Sequence, residues 1–175
     1  LQQVYNYVQD RNTFAKKLSV SIGAIICGLV PLFLLAQFEA ILGDLYIPIG
    51  LLAFFGLTIG GILGIIKTSL KHSNRKMGLL NRIRLSLMNR EQVYEIKKEY
   101  STKTFIPFLI AGIILASVGG LVPLIVFSTY NLFGLGAALW LLCIALGVGF
   151  IVTTSVTKHA FTRALQADED NRAHF

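Results

Sequence analysis

Four stretches of this chain contain no Asp, Glu, Lys, Arg or His: Leu18–Phe38, Leu45–Ile66, Phe105–Phe127 and Asn131–Thr157. Apolar residues run through them without a period of two. Each is about as long as the roughly 20 residues a helix needs to cross a hydrocarbon layer. Backbone groups in lipid must bond internally, so helices are predicted; a barrel would require alternation. The pattern predicts an all-α integral membrane four-helix bundle, made of two tandem parallel-repeat transmembrane hairpins with cytoplasmic amphipathic helices. The expected divisions are a helix and linker at 1–17, a first hairpin at 18–66 and a basic segment at 67–104. A second hairpin at 105–157 and a tail at 158–175 follow.

The hairpin repeat is legible in the residues. "GLVPL" occurs at Gly28–Leu32 and again at Gly120–Leu124. The second and fourth stretches pair Gly50 with Gly136, Phe54 with Trp140, Gly61 with Gly147 and Thr68-Ser69 with Thr154-Ser155. Each then reaches a Lys-His pair, Lys71-His72 and Lys158-His159. Pro31 and Pro123 each remove a helix hydrogen bond and crowd the carbonyl four residues back, at Cys27 and Gly119. They are the hinge candidates. Pro48 and Pro107 stand near helix starts, where proline fits.

Small residues recur at i, i+4, i+8 as Gly56, Gly60 and Gly64, and as Gly112, Ala116 and Gly120. Such stripes let helix backbones approach closely. The expectation is a seam between the second and third stretches, or a homodimer face. Cys27, Trp140 and Cys143 are the candidates for lining a ligand pocket, and no disulfide is expected between the cysteines.

Charge sets the orientation. Of the 16 Lys and Arg, three precede the first stretch, ten lie between the second and third, and three follow the fourth. The short connections "EAILGD" and "STYN" have none. Basic residues stay on the cytoplasmic side. Both termini and residues 67–104 are therefore expected inside a bacterial cytoplasmic membrane. Leu1, Val4, Tyr5 and Val8 repeat at helical spacing. In the middle segment Leu80, Ile83 and Leu87, then Val93, Ile96 and Tyr100, form an apolar stripe. Arg82, Arg84, Arg90, Lys97 and Lys98 decorate it, which predicts a helix on anionic headgroups.

Much chemistry is excluded. No ionisable side chain interrupts the four stretches, whereas ion-coupled transporters place one there. His72, His159 and His174 lack ligand spacing, so no metal or cofactor is expected. No GxSxG, HExxH or P-loop pattern is present, and no enzyme is predicted. The acidic tail "ADEDNRAHF" reads as a solvated terminus.

"VYNYVQDRNTFAKKLSVSIGAIICGLVPLFLL", with Gly23, Cys27 and Pro31, resembles the junction and first span of membrane-anchored helix-turn-helix transcriptional regulators of low-GC Gram-positive bacteria. "GLGAALWLLCIALGVGFIVTTSVTKHAFTRAL", with Ala145, Gly147 and Gly149, resembles the second span of that hairpin type. The resemblance implies a one-component sensor, whose membrane domain reports a membrane-soluble small molecule or a membrane state. DNA would be reached only through a domain absent from this chain. The initial Leu, in place of Met, fits a cut at that point. A small transport, resistance or immunity-type membrane protein is the alternative.

The charge distribution makes a direct prediction. With Cys27 and Cys143 replaced by Ala, a Ser128→Cys variant is labelled by an impermeant maleimide on intact cells. Ser73→Cys is labelled only after permeabilisation. The reverse pattern overturns the orientation.

Overall fold

A computed structural model of the protein describes residues 1–81 and 83–173. All described secondary structure is helical, and four helical rods are long and apolar enough to cross a membrane. Rod one comprises α1 (Gln2–Ile26), a 3-10 turn (Cys27–Leu29) and α2 (Val30–Ala36). The short α3 (Glu39–Leu42) and a second 3-10 turn (Gly43–Leu45) lead into rod two, α4 (Tyr46–Leu80). A linker then reaches α5 (Leu87–Tyr100). Rod three continues α5 through a π turn (Ser101–Phe105), α6 (Ile106–Ile114), a second π turn (Leu115–Gly119) and α7 (Gly120–Thr129). Rod four is a single helix, α8 (Phe133–Ala173).

The two connections between paired rods have local causes. Gly43 holds φ at +55°, a conformation that suits a residue without a Cβ. Asn131 also has a positive φ, 58°. Its N–H donates to the Ser128 carbonyl, and the Leu132 N–H donates to Phe127. This pair of bonds is a Schellman stop, in which Asn replaces the usual Gly.

The two inner prolines are accommodated in opposite ways. Before Pro31 the helix tightens, and the Cys27 carbonyl that proline leaves unpaired accepts the Val30 N–H. Pro31 then falls in the first turn of α2, where a missing donor is harmless. Before Pro123 the helix instead widens into the π turn that ends at Gly119.

Small residues set the packing. A methyl added at Gly61 would stand 2.7 Å from the Ser21 carbonyl oxygen, joining rod two to rod one. One added at Gly147 would stand 2.5 Å from the Gly112 carbonyl oxygen and 2.9 Å from the Ala116 amide, joining rod four to rod three. Rods one and four form the central seam, where Ser19 Oγ donates to the Gly149 carbonyl at 3.1 Å and lies 2.8 Å from Thr153 Oγ1. Among the described residues, rods two and three share no packing seam. The spatial order is therefore two, one, four, three.

This order corrects the expected contact between the two small-residue stripes. Gly56 and Gly60 have open space around them, and only Gly64 of that stripe meets another rod, at Ser21. Gly112, Ala116 and Gly120 all face rod four instead.

Burial is inverted along the rods. Large side chains such as Leu52 (76% exposed) and Val20 (73% exposed) point outward from the apolar stretches. The buried residues there are small, including Ala137, Ala138 and Ala145. Among the described residues, a large core lies at the end where the chain's basic residues gather. It is built from Val4, Tyr7, Ile83, Val93, Phe161 and Leu165 with their neighbours.

The contacts separate two kinds of glycine. Gly147→Val should destabilise the protein by about 1–3 kcal/mol, because the branched side chain overpacks a backbone contact. Gly60→Ala should instead be neutral or stabilising by up to about 1 kcal/mol, since it adds helix propensity in open space. Thermal melts of the two variants, purified under identical conditions, check the contrast.

Candidate functional site

The polar end is assembled from five segments: the first half of α1, the end of α4, the linker, α5 and the last third of α8. The linker is short and irregular, so its backbone groups need partners. α8 supplies them. Asp168, fully buried, accepts the Leu85 N–H at 2.7 Å and lies 3.3 Å from Arg172 Nε. Asn171 Nδ2 donates to the Leu80 carbonyl at 3.1 Å and to the Ile83 carbonyl at 3.0 Å. Arg172 donates to the Leu85 carbonyl, and Arg90 pairs with Glu169. A carboxylate, an amide and a guanidinium thus latch the linker onto one helix face, with Ile83 and Leu85 driven into the core beneath.

This latch corrects the reading of the acidic tail as solvated. The helix continues through Ala173, and its period places Phe161, Leu165, Asp168 and Arg172 along one side. That spacing was available in the sequence; the run of acids obscured it. His174 lies outside the described residues.

Most of the described apolar stripe of the middle segment is also turned inward, with Ile96 exposed. Ile83 and Val93 are buried against α1 and α8, and Leu80 and Tyr100 pack against the same core. Of the basic residues expected at a headgroup surface, Arg84 and Lys98 have exposed side chains and Lys97 is half-buried. Arg90 is engaged by Glu169. Arg82 lies outside the described residues.

On the rod-two side of α1, His72 is buried with its Nδ1 3.0 Å from Asp10 Oδ2 and the Phe14 ring edge-on at 5.2 Å. Nearby, Tyr7 is buried in the core, and that burial pushes its hydroxyl above the usual pKa of 10.0. Arg11 and Arg163 pull in the opposite direction but do not prevail.

Between α1, α5 and α8 lies an apolar pocket of about 310 Å³. Val4, Val8, Val93, Ile96 and Phe161 contribute to its walls, and Asn12, Tyr100 and Thr157 also line it. Thr157 Oγ1 donates to the Thr153 carbonyl at 2.9 Å and lies 3.4 Å from Asn12 Oδ1. Tyr100 lines the pocket with Thr157, and burial raises the pKa of its hydroxyl.

The expected ligand residues do not converge. Cys27 lines a crevice of about 380 Å³ between rods one and four, with Gly23, Leu142, Ala145 and Gly149. Trp140 faces the opposite way, onto Gly120 of rod three. Cys143 is half-buried on rod four. Among the described residues, no group of three or more His, Cys, Asp or Glu could hold a metal ion.

The latch has a measurable consequence. Asp168→Ala leaves the Leu85 N–H buried without its acceptor, which should cost about 1–3 kcal/mol. The expected result is a lowered melting temperature and faster proteolytic cleavage in the 81–86 linker.

No protein-family model, no curated protein and no solved structure matches this chain, so its functional reading rests on the geometry above.

Proposed function

We propose that this chain is a membrane-embedded sensor and relay domain, passing a change in membrane or lipophilic-ligand state along rod one to the cytoplasmic side. Its four rods lie in a bacterial cytoplasmic membrane with both termini inside. Supporting this placement are the outward-facing large apolar side chains and the collection of basic residues at one end.

The rods form two equivalent hairpins. Gly28 faces Phe54 and Gly120 faces Trp140; Gly50 meets Leu32 and Gly136 meets Leu124. These pairs keep the offsets of 92 and 86 residues that relate the two halves of the sequence. Gly61 meets Ser21 and Ile25, whereas Gly147 meets Gly112 and Ala116, one residue short of the same offset. The π turn at Leu115–Gly119 accounts for the slip, because a π turn holds one extra residue.

The observation that carries the relay is the continuity of α1. It runs unbroken from Gln2 to Ile26, is packed by α4 on one side and α8 on the other, and ends in the polar core. A helix of 25 residues is about 37 Å long and transmits tilt or rotation over that length. A stimulus acts by binding one packing of the rods more tightly, about 1.4 kcal/mol for each tenfold difference. The regulated output would be a DNA-binding domain joined ahead of α1, and the irregular turns before Pro31 and Pro123 are the flexing points.

The relay is tested with spin labels at Gln2→Cys and Glu91→Cys, in a background lacking native cysteines. The protein is placed in bilayers of short-chain or long-chain phosphatidylcholine. The expected result is a shift in the interlabel distance between the two bilayers, diminished by Pro31→Ala with Pro123→Ala. Identical distances in both bilayers remove the relay.

A further inference from the structure

Exposed apolar side chains are expected on lipid-facing rods but need another explanation beyond the apolar stretches. The pocket at the polar end presents that problem. Tyr5 and Ile96, on its rim, are 62% and 43% exposed, although both lie outside the charge-free stretches.

Three features define what would fill it. Its volume, about 310 Å³, is at the small end of the range for ligand pockets, roughly 300–1,000 Å³. Its lining contains no Asp, Glu, Lys, Arg or His. A charged group entering it would lose water without gaining a counter-charge from any lining side chain, a cost that selects a neutral occupant. The polar lining includes Asn12 and Thr157, 3.4 Å apart at Oδ1 and Oγ1, together with Tyr100. The Tyr100 hydroxyl is a donor as well as an acceptor.

Location narrows the class further. Thr157 is the last residue of the fourth charge-free stretch, and Tyr100 lies five positions before the third begins. The polar lining therefore stands at the boundary between the apolar rods and the polar end. The apolar walls continue from there along α1 and α5, among Val4, Val8, Val93 and Ile96.

We propose that this pocket binds a single neutral amphiphile: a medium-length hydrocarbon with one uncharged hydrogen-bonding head. The head engages Asn12, Thr157 and Tyr100 and the chain lies between α1 and α5. An occupant there ties the first half of α1 to α5 and α8, so it biases the position of the relay helix. That regulatory consequence rests on the relay reading above; the binding site does not.

The test uses the full chain in lipid nanodiscs and three photoreactive diazirine probes on the same hydrocarbon: analogues of decanol, decanoate and decylammonium. Mass spectrometry maps the labelled peptides. The expected result is saturable labelling of the first half of α1 and of α5 by the decanol analogue, competed by decanol itself. The two charged probes should label these peptides at least about fivefold less, given the desolvation cost. Ile96→Trp, a rim substitution compatible with folding, should suppress this labelling and leave that of the lipid-facing Leu52–Phe55 region unchanged. Val8→Phe provides an independent filling variant. Thr157→Val should weaken the competition by roughly fivefold through loss of a head-group bond.

Labelling confined to lipid-facing peptides, equal labelling by all three probes, or indifference to both filling variants would overturn the site. So would photocrosslinking showing that a second copy of the chain occupies it. Adding decanol to the Gln2/Glu91 spin-labelled protein separates the two proposals. Saturable pocket labelling without a distance change keeps the site and removes its relay role. A distance shift with bilayer thickness but no pocket labelling does the opposite.

Discussion

The rods hold together because their backbones come close, and backbones come close only where side chains are small. In water, burial of large apolar surfaces drives helices together. Between helices solvated by hydrocarbon, the setting proposed for these rods, that force is absent, and contact geometry and hydrogen bonds take its place. Gly61 against Ser21, Gly147 against Gly112 and the Ser19 bond to Gly149 are contacts of this kind. They bring rods one and two, three and four, and one and four into register. The large apolar side chains, released from packing duties, form the outer surface.

At the polar end the balance reverses, and a water-type core returns. Tyr7, Ile83 and Val93 are fully buried there, and Asp168 is buried because its charge is used on a backbone donor and an adjacent guanidinium. The two regimes share α1 and α8. A displacement in the glycine-packed region therefore reaches a tightly packed core that cannot absorb it by small continuous deformation. This mechanical arrangement makes the proposed relay physically reasonable, and it also gives the amphiphile pocket leverage over α1.

Much of the architecture was legible in the residues. The charge-free stretches located the rods, since no other signal of that length competes with them. The proline positions located the irregular turns. The remedies did not follow from the proline, because tightening and widening both relieve its clash. Rod order was not legible either. A glycine stripe says that a backbone can approach, without naming the partner, and Gly56 and Gly60 approach nothing. The stripe through Ile83 and Val93 was readable, but the same pattern suits a lipid surface and a protein groove. Asp168 was missed because composition outweighed helical period in the tail. Cys27 and Trp140 were grouped by depth, and depth carries no information about the direction a side chain faces.

One element touches nearly everything. α8 packs against α1, α2, α5, α6 and α7, and it carries the latch for the linker. Among the four rods it is also the last to leave the ribosome. Rods one to three must wait in the bilayer, in the proposed setting, with their common partner still unmade. Assembly is then a late, concerted event, and a nascent chain arrested before α8 would offer quality-control proteases three unsupported helices and an unlatched linker.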